Sequence, residues 1–529
     1  MTTSTTLWRA RSVYTAAAPG ANALTVNDGM ITWVGDAADA PAADRVVDCP
    51  DTVITPSFVD SHAHVAGTGA RLTGFDPTGA RNGPDLMDRL NRYARTIPAD
   101  AVIIAHGWDE TTWDDPELPT AVELERAGEG RQVYLSRTCG HSGIASAGLL
   151  EAHPSLVDYD GFDSSGVLTR QAHRQARARA NASIGPEARR AISEAALRHA
   201  ASLGITALVE HFIPIDSDPY KETEFTDLIA LGRRPDLPEV FGWWGELNAA
   251  ERARDLGAYG CGGDLSVDGS VGARTAALRD DYADAPGERG TLYYSAEQVG
   301  DHIVNCHRFE MPAAFHAIGD AAIDTVLAGF DRAAEKVDIA DLRTYRHRIE
   351  HVELLSESNA AAMVHYGLHA SVQPAFDATW GGKSSMYATR MGEKRALAAN
   401  PWSHMYGVGI PLAFGSDSPV TDIDPWGGVR AGTHHHNSSQ SLSAEASFAA
   451  ATRGGWRAVG RDDVGVLAPG FQADFAVWNL TDDTLTEWSD PRTPEPTCQV
   501  TVAAGEVIHE LSQPRKLQLC QLVRHLLLS

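Results

Sequence analysis

Eight short apolar runs, each closing on or near a polar residue and each leaving room for a helix, constrain this chain more than any other feature. They are Val59–His64, Ile205–Glu210, Glu239–Trp244, Asp264–Asp268, Ala313–His316, Arg348–His351, His369–Gln373 and Leu412–Asp417. Between them, Glu187–Leu203, Ala296–Arg308 and Ala321–Val337 read as helices. Strands alternating with helices pack as a parallel sheet, and eight such units predict an α/β fold of the (β/α)8 barrel type. A barrel places its chemistry at the C-terminal ends of its strands. The polar residues that close the runs are therefore the candidates for function.

The two chain ends have a different texture. Leu7–Val13, Ala23–Val26, Met30–Val34 and Arg45–Asp48 alternate apolar and polar residues around turn signals, and Asp474–Asn479 and Val500–Ile508 repeat the pattern. We expect one composite β-sandwich from residues 1–56 and 460–510, beside a barrel spanning 57–459. Residues from about 72 to 185 do not fit the eightfold pattern and read, with strands at Val102–Ala105 and Gln132–Ser136, as an insertion after the first strand. The basic, Leu-rich tail at 511–529 has no assigned role.

Composition narrows the partners. The 529 residues carry 44 Lys+Arg against 70 Asp+Glu, a formal net charge of −26. That charge argues against nucleic acid, which needs a basic footprint, and against an anionic membrane surface. No apolar run approaches the roughly 18 residues of a membrane span, and no basic stretch followed by an apolar one opens the chain. The six cysteines are scattered without a CxxC pair, as in reduced cytoplasmic proteins. The expectation is a cytoplasmic enzyme with a small-molecule substrate, a homodimer being the default assembly.

The sharpest chemical motif is His62-Ala63-His64. Residues i and i+2 of a strand point to one side, so two imidazoles face one point, as chelation requires. His316, His351 and Asp417 close three other runs. Four imidazoles and a carboxylate at strand ends suit a divalent ion, zinc ahead of manganese or iron. Glu210 ends the second run as either a carboxylate bridging two ions or a salt-bridge or capping residue. His434-His435-His436 is not a ligand set for one ion, because adjacent side chains diverge; it reads as a loop near the mouth. Trp108, Trp113, Trp380, Trp402 and Trp426 lie in or near loops, either facing an apolar substrate or simply packing.

In this order the constellation resembles the amidohydrolase superfamily, and within it the amidohydrolase family 3 branch typified by N-substituted formamide deformylase and YtcJ-like proteins. The resemblance runs from Leu7 to about Glu510. It is carried by Pro56-Ser-Phe-Val-Asp-Ser-His-Ala-His64, His106-Gly-Trp-Asp-Glu110, Arg137-Thr-Cys-Gly-His-Ser142, Asp268-Gly-Ser-Val-Gly-Ala-Arg-Thr-Ala276, His316-Ala-Ile-Gly-Asp320, Arg348-Ile-Glu-His351, Gly415-Ser-Asp-Ser-Pro419 and Gly465–Asp474. It implies a metal-dependent hydrolase acting on a C–N bond of an amide, N-formyl or cyclic amide compound. His62 and His64 would hold the more buried ion. His316 and His351 would hold a second ion or share one. Asp417 would bind metal and act as general base. Trp108 and His141 would shape the substrate pocket, and Arg274 would contact a substrate carbonyl or carboxylate.

One departure concerns the metal count. Many relatives carry, four residues before the Asp-Gly, a lysine that becomes carboxylated and bridges two metals; here that position is Asp264. Aspartate is too short to reach where a carboxylated lysine would, so Glu210, on another strand, is a replacement bridge; whether Glu210 or Asp264 takes that place, and whether one ion or two bind, stays open from sequence. Two other outcomes remain open from sequence: deamination or ester and lactone hydrolysis on the same scaffold, and an inactive family member acting as a binding or assembly protein.

Overall fold

The computed structural model describes residues 4–511, apart from 109, 111–112, 114, 138–141, 216–217 and 481–483. In chain order the strands are β1 (Thr6–Val13), β2 (Ala23–Asn27), β3 (Met30–Gly35), β4 (Arg45–Pro56), β5 (Phe58–Ala63), β6 (Ile103–Trp108), β7 (Val133–Arg137), β8 (Ser142–Ala145) and β9 (Val167–Thr169). They continue with β10 (Ile205–Phe212), β11 (Glu239–Trp244), β12 (Gly260–Cys261), β13 (Ala314–Ala317), β14 (Arg348–His351), β15 (His369–Val372), β16 (Leu412–Phe414), β17 (Phe475–Asn479), β18 (Thr497–Ala503) and β19 (Glu506–Glu510).

Both chain ends contribute to one seven-stranded sheet, ordered β19-β18-β17-β4-β1-β2-β3. The antiparallel pair β4–β17 joins them, with Ile54 opposite Val477. The central strands form two four-stranded parallel sheets, β12-β11-β10-β5 and β13-β14-β15-β16. Parallel bridges link Cys261 to Ala313 and Ala63 to Ser418. All eight residues of β10 are buried, which is why it reads as an apolar run rather than an alternation. The segment at 72–185 builds its own sheet, β6-β7-β8-β9, over a separate core that includes Leu86, Leu90, Leu124 and Leu135. Among the described residues no helix is long and apolar enough to cross a membrane.

One expected strand is misplaced. The fourth strand is Gly260–Cys261, not Asp264–Asp268. It stops because Gly262 and Gly263 turn through φ +111° and +75°, a region that suits glycine. The close approach also demands glycine: a Cβ on Gly262 would lie 2.1 Å from the Ala314 carbonyl oxygen, and one on Gly263 would lie 2.6 Å from His211 Nδ1. The chain thus presses inward just before Asp264.

Buried histidines make the fold acid-sensitive. His347 is 1 % exposed, and its Nδ1 accepts the Ala313 N–H at 2.8 Å. Burial pushes its pKa down to about 3, whereas in the unfolded chain it titrates near about 6.5. The contribution of a neutral buried imidazole is therefore present above pH 6.5 and lost as pH falls towards 3, because the unfolded chain takes up the proton first. Between pH 7 and pH 5 this one residue is expected to account for about 2 kcal/mol of lost stability. His347→Asn keeps an acceptor for the Ala313 N–H but cannot titrate. Urea denaturation at both pH values should show the variant losing less stability than the parent; equal losses would exclude this role.

Candidate metal centre

The strand ends bring His62, His64, His316, His351 and Asp417 to one point. His62 lies in β5 and His64 follows it; His316 lies in β13, His351 ends β14, and Asp417 stands three residues past β16. Asp417 Oδ1 lies 3.1 Å from His64 Nε2 and 3.4 Å from His62 Nε2.

A sixth residue sits among them. The expectation that Asp264 is too short fails, because the Gly262-Gly263 turn carries its backbone inward. Asp264 Oδ1 is 3.6 Å from His62 Nε2, 3.4 Å from His316 Nδ1 and 3.6 Å from His351 Nε2. Its Oδ2 is 3.2 Å from His64 Nε2. Glu210 joins none of the ligand clusters among the described residues. It is buried at the end of the same sheet, but its Oε2 accepts the Val65 N–H at 2.6 Å, and burial lifts its carboxyl to about 7.

The outer nitrogen of each histidine is tied to an acceptor. His62 Nδ1 meets Glu350 Oε2 at 2.9 Å, His64 Nδ1 the His211 carbonyl at 3.0 Å, and His351 Nδ1 Gln373 Oε1 at 2.7 Å. His316 is reversed, its Nε2 facing the Gly269 carbonyl at 3.4 Å. An acceptor at each outer nitrogen places a proton there, which turns the inner nitrogens of His62 and His64 towards Asp264 and Asp417 and those of His316 and His351 towards Asp264. His62 Nε2, His351 Nε2, Asp264 Oδ1 and Asp417 Oδ1 are all buried without a hydrogen-bond partner. Ligand atoms bound at about 2.0–2.1 Å around a tetrahedral ion lie about 3.3 Å apart. The six imidazole–carboxylate separations run from 3.1 to 3.6 Å. The donor set fits a divalent cation.

The electrostatics agree. Burial lowers the His64 imidazole, but Asp264 and Asp417 outweigh it and raise the pKa to about 10. His316 is likewise depressed by burial and lifted overall by Asp264 to about 9. Burial works against ionisation of Asp264 and Asp417 as well, yet the surrounding imidazoles hold both carboxyls well below the usual range. A point that draws positive charge to imidazoles draws a cation for the same reason.

Several supporting residues escape sequence reasoning. Arg348 and Glu350 are both fully buried, with Arg348 Nε donating to Glu350 Oε1 at 2.6 Å and Arg348 Nη2 donating to the Ser61 carbonyl at 2.6 Å. Glu350 in turn holds His62. Two ionisable residues at i and i+2 in a short strand are the signal that could have found this pair. His211 stacks on His62 at 3.8 Å while its carbonyl fixes His64. Asp60 sews the first strand to the last, accepting from Ser416 N at 2.9 Å, Ser416 Oγ at 2.6 Å and His62 N at 3.2 Å. Nearby, Asp417 N donates to the His62 carbonyl at 2.7 Å.

The expected substrate contacts are not gathered here. Trp108 is 1 % exposed in the core of the inserted segment, where its Nε1 donates to the Leu135 carbonyl. Arg274 is engaged by Asp284 through two hydrogen bonds of 3.0 and 2.8 Å. His141 lies outside the described residues. Of the triple histidine, His435 and His436 face Asp377 at 3.4 and 3.1 Å, and neither enters a ligand cluster among the described residues.

Comparison with known proteins places these observations. Residues 45–509 match the model of the amidohydrolase family. YtcJ of Bacillus subtilis (strain 168), an amidohydrolase by name, is 25% identical over 96% of this chain and 99% of its own length. N-substituted formamide deformylase of Arthrobacter pascens is 21% identical over 77% of this chain and 78% of its own. Among solved structures, an uncharacterized metal-dependent hydrolase from Pyrococcus furiosus superposes with a TM-score of 0.75 at 23% identity, covering 91% of this chain and all of that one; the likeness is one of fold.

Proposed function

The chain belongs to the amidohydrolase family, and from that premise we propose that it is a metal-dependent hydrolase cleaving the C–N bond of an amide, N-formyl or cyclic amide small molecule. The observation that carries this reading is the convergence of the inner nitrogens of four imidazoles on the carboxylates of Asp264 and Asp417, each imidazole held at its outer nitrogen by an acceptor. On this reading the two parallel sheets and their bridges are a (β/α)8 barrel over 57–459, with an insertion at about 72–185. Residues 1–56 and 460–510 form the composite β domain. His62, His64, His316, His351 and Asp417 hold the cation, for which zinc fits the nitrogen and oxygen donors.

A divalent cation supplies Lewis acidity at such a site: it polarises a carbonyl and makes water acidic enough to attack at neutral pH. The chain supplies the proton handling. Asp417 takes the proton of the attacking water and delivers it to the departing nitrogen, since an amine leaves poorly unless protonated. Imidazoles that serve as ligands cannot shuttle that proton. Glu350, Gln373 and the His211 carbonyl keep them in the ligating tautomer.

Metal removal is the direct test. Dialysis against a chelator should abolish amine release from a panel of N-acyl, N-formyl and cyclic amide substrates, and zinc should restore it. Ammonia release from heterocycles, or acid release from esters and lactones, would redirect the reading to those reactions. Purified protein with no bound metal and no hydrolysis across the panel would overturn it in favour of a binding or assembly role.

A further inference from the structure

The chain leaves β14 through a strained turn. His351 and Val352 both have positive φ, 72° and 52°. That region is costly for any side chain and most costly for a β-branched one such as valine. Val352 is fully buried, so the turn is built into the interior. Its N–H donates to the Ala317 carbonyl at 3.2 Å, and the Leu354 N–H donates to the Ile318 carbonyl at 3.2 Å. The two bonds bracket Glu353 and hold it beside the strand end that carries His316, two residues past His351.

Glu353 is 2 % exposed and joins none of the ligand clusters among the described residues. The Tyr387 hydroxyl hydrogen-bonds its carboxyl, and the charges of His316, Asp268 and Asp417 reach it. Tyr387 is itself buried in a cluster with Val271 and Ile318, which anchors the carboxyl from that side. Yet Glu353 Oε2 is buried with no hydrogen-bond partner. A buried carboxylate oxygen without a donor is costly, and native folds keep few such atoms.

We propose that Glu353 is a specificity-determining residue whose Oε2 accepts a hydrogen bond from the N–H of the bond to be cut. The proposal rests on the hydrolase reading above and narrows its substrates to amides, N-formyl amines and cyclic amides whose scissile nitrogen bears hydrogen. The role fits the chemistry. As the carbonyl carbon becomes tetrahedral, the nitrogen pyramidalises and gains a free lone pair. A hydrogen held by Glu353 fixes the direction of that lone pair, which must meet the proton that Asp417 carries. A nitrogen with no hydrogen leaves Oε2 unpaired, and a site built to bind N–H rejects such an analogue by about 10⁴-fold.

The test compares matched N-alkylformamides and N-alkyl-N-methylformamides. The zinc-loaded parent should favour the N–H member by about 10⁴-fold in kcat/KM. Glu353→Leu, with its metal content verified, should lose most of that ratio, because the N–H member falls while the N-methyl member holds. Glu353→Gln keeps an acceptor oxygen and should retain much of the ratio. Binding of the same pairs to chelator-treated protein, which cannot turn them over, should follow the same order. Equal binding of the two members by the parent, or a preference that survives in Glu353→Leu, would overturn the role. If no pair is hydrolysed, the hydrolase reading fails while the binding order still decides on Glu353. Should Glu353→Leu fail to fold, judged by circular dichroism, Tyr387→Phe takes its place. That variant frees the carboxyl from its anchor and should cut the preference about 10-fold, the scale of one lost charged hydrogen bond. An unchanged preference there would overturn the role as well.

Discussion

Asp417→Asn is expected to lower kcat about 10³-fold, the scale of a lost general acid–base, with metal still bound. The substitution is nearly isosteric, and an amide oxygen can remain beside His62 and His64, but it cannot take up the proton of water. The position is set by the backbone: Asp417 sits at φ 54°, a region asparagine also tolerates, with its N–H on the His62 carbonyl. A folding defect is therefore not the expected outcome. Metal analysis beside a single-turnover measurement of amine release separates the roles. Full activity would remove Asp417 from proton transfer. Loss of metal together with activity would make it a ligand before anything else.

Glu350→Gln is the second large effect. It strips the carboxylate from Arg348, leaving a fully buried guanidinium without its counter-charge, a loss of about 3–5 kcal/mol for broken buried pairs. It also weakens the support of His62 at Nδ1, and such outer partners are worth about 10–100-fold in metal affinity. The two consequences separate in the double variant Arg348→Met/Glu350→Gln. Removing both charges should recover much of the stability in urea denaturation of the apo chain, while the deficit in metal affinity persists. Unchanged affinity in the single variant would show that Glu350 is a structural partner of Arg348 alone.

Alternation of apolar runs and helices was enough to anticipate the parallel strands, and β11 and β14 fall on the expected residues. The His62-Ala63-His64 spacing and the strand-closing His316, His351 and Asp417 were readable because strand periodicity and chain order alone bring them together. Asp264 was misjudged because side-chain length was weighed and backbone path was not; the path depends on two glycines whose meaning appears only against Ala314 and His211. Glu350 stands within the Arg348–His351 stretch and carries the i, i+2 signal with Arg348, but its hold on His62 crosses 288 residues and shows only in the fold. His211, stacked on His62, carries no motif that separates it from packing residues. Trp108 stayed open between pocket and packing because a tryptophan at a strand end looks the same whether it meets a ligand or its own core; the structure places it in the core of the inserted segment.

The clasp between Asp60 and Ser416 spans 356 residues of chain. Its consequence concerns synthesis. An emerging polypeptide displays His62 and His64 early, whereas Asp417, their partner in the proposed ligand set, follows more than 350 residues later with the Ser416 that closes on Asp60. Long-range closures of this kind come late in folding. On the proposed ligand set, a product ending before Ser416 would lack Asp417 and with it the full donor set, and so would not gain the protection that a bound ion confers on the native state.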